Sequence, residues 1–150
     1  NMDTDMSTKN DTIRLAGHCD AGCKMAIDSM DQISRYVTDD NLRNVISSSK
    51  NRHKDLEQEA SGLLNKYGKN EQDPQKMASA FSWLSTEMKM MFKDDNNQIA
   101  KIMMNGCNMG IQSISEDINK YSNASSESVS LAKKLVKAEE NFMRDLERFL

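Results

Sequence analysis

The chain has 150 residues, with 20 Lys and Arg against 23 Asp and Glu, a formal charge of −3. It holds one proline, where average usage would give about seven, so it lacks the punctuation of an all-β sandwich or barrel, which turns roughly every 8–12 residues. The acidic balance argues against nucleic acid as the main partner, because phosphate binding needs clustered Lys and Arg, while 29% charged and 37% hydrophobic residues suit amphipathic helices with broad solvated faces in a single domain.

Residues 1–10 are polar, carry no apolar period and are expected to be frayed or disordered. From about Asp11 to Val37 the apolar stripe Leu15, Ala16, Cys19, Cys23, Ala26, Ile27, Met30, Ile33 and Val37 advances in threes and fours, which predicts one buried helical face. Thr38-Asp39-Asp40 offers N-cap residues for a second helix. Its stripe is Leu42, Val45, Ile46, Ser49, His53, Leu56, Ala60, Leu63, Leu64 and Tyr67, and Gly68 is placed to end it, since glycine takes the left-handed conformation without penalty.

Pro74 then predicts the start of a shorter helix carrying Met77, Ala80, Phe81, Leu84, Met88, Met91 and Phe92, which Asp94-Asp95-Asn96-Asn97 interrupts. The next helix presents Ile99, Met103, Cys107, Gly110, Ile111, Ile114 and Ile118 and ends near Tyr121, before the turn Ser122-Asn123-Ala124-Ser125. The last presents Val129, Ala132, Leu135, Val136, Glu139, Met143, Leu146 and Phe149. No segment alternates β-branched and aromatic residues as a strand would.

No apolar run exceeds three residues, as in Met25-Ala26-Ile27, so no membrane span is expected. The first twelve residues show no signal-peptide core. Three cysteines, Cys19, Cys23 and Cys107, do not read as a secreted disulfide framework. A reduced, cytoplasmic protein is the expectation.

The two halves resemble each other. Gly22-Cys23-Lys24-Met25-Ala26-Ile27 matches Gly106-Cys107-Asn108-Met109-Gly110-Ile111 at an offset of 84, and Asn51-Arg52-His53-Lys54-Asp55-Leu56-Glu57 matches Asn141-Phe142-Met143-Arg144-Asp145-Leu146-Glu147 at an offset of 90. This reads as a duplicated helical hairpin. The organisation expected is one domain over 1–150: a first hairpin over 11–67, a crossover over 68–94 and a second hairpin over 95–150. A connection as long as 68–94, with its own helix, can travel the length of a bundle and gives the one-crossover form.

Two hairpins, one long crossover and a duplicated core resemble the ferritin-like superfamily. The chain is more closely similar to uncharacterised bacterial ferritin-like proteins in which a short crossover helix with aromatics, here Phe81-Ser82-Trp83-Leu84, precedes an Asp-rich start of helix three. The fold class implied is all-α, a ferritin-like four-helix bundle. Metal-binding members of that superfamily carry a Glu on helices one and three and a Glu-x-x-His on helices two and four. Here the second-helix position reads Lys50-x-x-His53 and the fourth reads Glu140-x-x-Met143. The helix-one and helix-three positions fall near Cys23 and Cys107, with no glutamate close by. Iron needs a carboxylate-rich shell, so a di-iron ferroxidase site is not expected.

The expected function is therefore a non-catalytic bundle with a structural or interaction role, with a homodimer through a helical face as the expected assembly. One alternative is a soft-metal site for Cu(I) or Zn on Cys23, His53, Cys107, Glu140 and Met143, since thiolate, imidazole and thioether suit those ions. A further alternative is a residual iron-dependent oxidoreductase that recruits Glu139, Glu140 or Asp20 with His53. Against both, cysteine packs as a small hydrophobe, methionine fills gaps and a core histidine bonds one polar neighbour. A Cys23–Cys107 disulfide would need Cα atoms within about 7 Å. Gly22 and Gly106 suggest close helix approach as compensation for glycine inside a helix, and His18 falls at the edge of the core stripe.

Overall fold

The computed structural model describes residues 1–69, 84 and 95–150. Among these residues the protein is all-helical, with no strand: α1 spans Met2–Ser34, α2 Asp40–Lys66, α3 Asn96–Lys120 and α4 Ser126–Leu146, followed by a 3-10 turn over Glu147–Phe149. The helix expected after Pro74, with Met77, Phe81, Trp83, Met88 and Met91, lies outside the described residues. Leu84 is described, and it is fully buried.

Helix ends follow local chemistry. The Asp39 carboxylate accepts from the Leu42 amide at 2.9 Å, Asp95 accepts from Gln98 at 3.1 Å, and the Ser125 hydroxyl accepts from Ser128 at 3.2 Å. Each satisfies a first-turn N–H that has no partner inside the helix. At the end of α2, Gly68 adopts φ +68°. Lys69 N–H reaches the Leu64 carbonyl at 3.1 Å and Gly68 N–H reaches Asn65 at 3.0 Å, the paired bonds of a Schellman motif.

Two boundaries differ from the sequence reading. Residues 2–10 are helical: α1 begins at Met2, with the Asn1 side chain accepting from Thr4 N–H and Asp3 and Asp5 in the first turn, where acidic groups suit the helix dipole. That segment has no apolar face, so periodicity could not reveal it. At the other end, α1 stops at Ser34, and Val37 is buried from the connection to α2.

The helices run side by side, compatible with a four-helix bundle. Antiparallel α1 and α2 are tied by Lys50 to Asp31 and by Lys24, 3.9 Å from Glu57. Antiparallel α2 and α4 are tied by Lys66 to Glu127 at 3.1 Å and Lys134 to Glu59 at 2.7 Å. Where α3 turns into α4, Asn123 N–H donates to Asp11 and Ser125 N–H to the Thr12 hydroxyl, at 3.0 and 2.8 Å. At the far end, the Asn97 amide donates to the Leu150 carbonyl at 3.2 Å.

The core divides in two. One cluster joins Leu15, Cys19 and Cys23 of α1 to Leu56 and Leu64 of α2 and Leu131 and Leu135 of α4. The other joins Met30 and Ile33 to Leu42, Ile46, Ile99, Ile102 and Phe142, with Leu84 among them. On α4 the buried face is Leu131, Leu135, Ala138, Glu139, Phe142 and Leu146. The expected stripe placed Met143 in that face; it is only half-buried, and Phe142 takes the core position.

Candidate functional site

A polar layer sits where the two core clusters meet. It is built by Ser49 and His53, one turn apart on α2, and Glu139 on α4, all buried. His53 Nδ1 lies 2.7 Å from the Ser49 carbonyl. A carbonyl can only accept, so this nitrogen carries the proton. His53 Nε2 is hydrogen-bonded to Glu139 Oε1. Burial opposes a charged ring, but the hydrogen bond and charge of Glu139, with the Ser49 carbonyl, outweigh it and raise the His53 pKa above its ordinary value. When protonated, the ring donates from both nitrogens, and the pair then ties α2 to α4 as an internal ion pair.

The Cys107 thiol of α3 is buried near Glu139, whose charge favours its protonated form. All three cysteines are buried, free thiols, which answers the disulfide option. Burial, then the charges of Asp117, Asp20 and Glu59, push Cys19 up to about 12. Burial, with Cys19 and Glu139 as neighbours, pushes Cys23 up as well, and burial with Glu139 does the same for Cys107. A thiol held protonated is a poor nucleophile and a poor ligand.

Of the five residues singled out as metal candidates, Cys23, His53 and Cys107 are buried, and the last two meet at Glu139. Glu140 does not join them: it is exposed on α4, and Met143 is half-buried. The reason is helical register. Glu139 and Glu140 are neighbours about 100° apart around the helix, and packing turns Glu139 inward. Lys50, three residues before His53, pairs with Asp31 of α1 at a partly exposed position. Asp20 is buried and held by Lys24 Nζ at 3.0 Å.

A second polar contact joins α1 to α3. His18 Nδ1 lies 2.9 Å from Asp117 Oδ2, and the Tyr121 ring meets the imidazole edge-on with centroids 5.5 Å apart. His18 is 47% exposed at its side chain while Asp117 is 13% exposed. The sequence reading placed His18 at the stripe edge and did not single out Asp117, although that residue sits three positions after Ile114 on the same face.

Between α1 and α3 lies a cleft of about 500 Å³. Small residues open it: Ala21 and Gly22 from α1, Gly106 and Gly110 from α3. Met25, Met30, Met103, Ile114, Leu135 and Phe142 supply apolar walls. Its polar groups include Glu139, Cys107 and the His18–Asp117 pair. Gly22 does not mark close helix approach, because a Cβ there would meet Leu135 at 3.9 Å and Ile114 at 4.0 Å, ordinary contact distances. At Gly110 a Cβ would stand 3.1 Å from Glu139 Oε2, so that glycine leaves room for the carboxylate.

The residues at the polar layer do not fit a di-iron centre, which needs several carboxylates; the layer of Ser49, His53 and Glu139 holds one, and it is hydrogen-bonded to His53. Among the described residues, no group of three or more His, Cys, Asp or Glu side chains is arranged to hold a metal ion. No described helix is long and apolar enough to cross a membrane. Comparison with known proteins yields no matching family model, no matching curated protein and no matching solved structure.

Proposed function

We propose that this chain is a one-crossover, ferritin-like four-helix bundle whose role is structural or interactive rather than ferroxidase chemistry. The topology is supported by the pairings at the two ends. The end of α2 lies beside the start of α4, through Lys66 and Glu127, while the start of α3 lies beside the chain's last residue, through Asn97 and Leu150. A chain leaving α2 at one end and entering α3 at the other must travel the bundle's length, as in the one-crossover form.

The observation that carries the functional reading is the polar layer itself: both His53 nitrogens are taken, by the Ser49 carbonyl and by Glu139, so neither is free to ligate a metal. Such a layer joins helices and fixes their register. The soft-metal alternative rests on His53 and Cys107 converging on Glu139. Titration of the reduced protein with Fe(II), Cu(I) and Zn(II) decides between them. The expected result is no Fe(II)-dependent oxygen uptake and no metal binding tighter than that of a Cys23→Ser/Cys107→Ser variant. Oxygen uptake lost in His53→Ala would restore the oxidoreductase, and stoichiometric Cu(I) or Zn(II) binding lost with the cysteines would establish the soft-metal site. Light scattering of the same sample tests the expected homodimer.

A further inference from the structure

The cleft between α1 and α3 is an apolar trough with a carboxylate at its base. We propose that it binds a small molecule made of an apolar body and one protonated amine, the amine resting on the Glu139 carboxylate. Three observations carry this, independently of whether the bundle is a ferroxidase.

The first is size and lining. About 500 Å³ lies within the range of small-molecule sites, which are mostly apolar with a few convergent polar groups. The methionines Met25, Met30 and Met103 give an adaptable wall, since an unbranched thioether reshapes around different apolar bodies. A Cβ added at Gly22 would stand 3.9 Å from Leu135 and 4.0 Å from Ile114, so the backbone there is not pressed against its neighbours.

The second is charge. Two carboxylates, Glu139 and Asp117, line the cleft, and its described lining includes no lysine or arginine. The one basic ring there, His18, is bonded to Asp117. The His53 ring stands behind Glu139 and outside the lining, so an organic cation entering the cleft meets two carboxylates and no lysine or arginine on the described wall, whereas an anion finds no such partner.

The third is the remaining capacity of Glu139. A carboxylate offers about four acceptor positions; the hydrogen bond from His53 uses one, on Oε1. His53 comes from α2 and does not line the cleft, whereas Glu139 does. The residue is 7% exposed, so an N⁺–H donor reaching it makes a desolvated, charge-assisted bond, roughly twice as strong as a neutral one. Asp117 is engaged at the rim and contributes field rather than the primary contact.

The test uses the full reduced chain and three probes of one length: octylammonium, octanol and octanoate, each below its aggregation concentration, followed by calorimetry. Octylammonium is expected to saturate at one per chain and to bind at least about ten-fold tighter than octanol, with octanoate weaker still. Gly22→Leu fills the cleft with a better helix former and is expected to remove octylammonium binding while the protein still melts cooperatively. Glu139→Gln is expected to bring the amine-to-alcohol ratio close to one, and Asp117→Asn to keep most of it. Octanol or octanoate binding as tightly as octylammonium, undiminished binding to Gly22→Leu, or the absence of saturable amine binding would each overturn the proposal. These outcomes need no Glu139 variant, so the proposal stays decidable even if Glu139→Gln does not fold. None of them bears on oxygen uptake, which tests the other reading.

Discussion

Across α2 and α4 a charged pair recurs about every two turns: Lys66 with Glu127, Glu59 with Lys134, His53 with Glu139. Across α1 and α3 the side-chain hydrogen bond among the described residues is that of His18 with Asp117, and the length below it is lined by alanine, glycine and methionine around a cleft. Both seams belong to the same helical array and share the residue Glu139, whose Oε1 bonds His53 while its other oxygen lies toward Gly110. The contrast shows how one closes and the other opens. Large side chains and paired charges fill the first, whereas small residues on facing helices leave the second unfilled.

The largest way to break this contrast is Glu139→Ala. It leaves the buried His53 ring without its partner. Removing one partner of a buried ion pair typically costs about 3–5 kcal/mol, and urea denaturation should show a loss of that order. Glu139→Gln keeps an acceptor for His53 Nε2 and should lose less. A loss in Glu139→Ala no larger than for an exposed pair would mean that the layer does not hold the α2–α4 seam.

The same pair makes stability depend on pH. The folded state raises the His53 pKa, so the native protein binds the proton more tightly than the unfolded chain. That stabilisation is fully present below the ordinary histidine value of about 6.5 and is lost as pH rises through the folded value. Arg52 acts in the opposite sense without reversing the shift. Urea midpoints measured upward from pH 6 should fall, and the fall should be absent in His53→Gln. A midpoint that rises over this range would show that burial, not Glu139, governs the ring.

How much of this was legible in sequence depends on how local each signal is. Asp39, Gly68, Asp95 and Ser125 act on amides or carbonyls within a few residues, so their positions announce the helix ends they make. Core positions such as Cys23, Leu56 and Cys107 follow from a clean period. On α4 apolar residues occur on two adjacent stripes, with Leu135 beside Val136 and Phe142 beside Met143, and Glu139 is followed by Glu140. Periodicity alone could not choose between them; contact with α2 does, through His53. His18 and Asp117 are 99 residues apart, and the cleft is a property of two facing helices rather than of either one.

The two cleft glycines offer a subtler comparison. Gly22 has room for a methyl group at ordinary contact distance, so Gly22→Ala should stabilise by about 0.5–1 kcal/mol through helix propensity. Gly110→Ala would gain the same propensity but press on Glu139 Oε2 at 3.1 Å, and Glu139 cannot swing aside without disturbing His53. It should be neutral or destabilising. Equal stabilisation by both substitutions in thermal or urea unfolding would mean that the Glu139 carboxylate is not pinned.

The smallest effect expected separates number from burial in the closed seam. Lys134 reaches both oxygens of Glu59, at 2.7 and 2.8 Å, better geometry than many ion pairs show. Yet the two side chains are 41% and 37% exposed, so water and salt screen their attraction and ordering two long side chains offsets part of it. Lys134→Ala should therefore cost about 0.2–1 kcal/mol, and raising the salt concentration should shrink the difference from the parent protein. The loss in Glu139→Ala should persist in salt, because its partner is buried. If the two losses shrank together, the α2–α4 seam would be held by surface charge along its length, and the buried layer would have no special part in closing it.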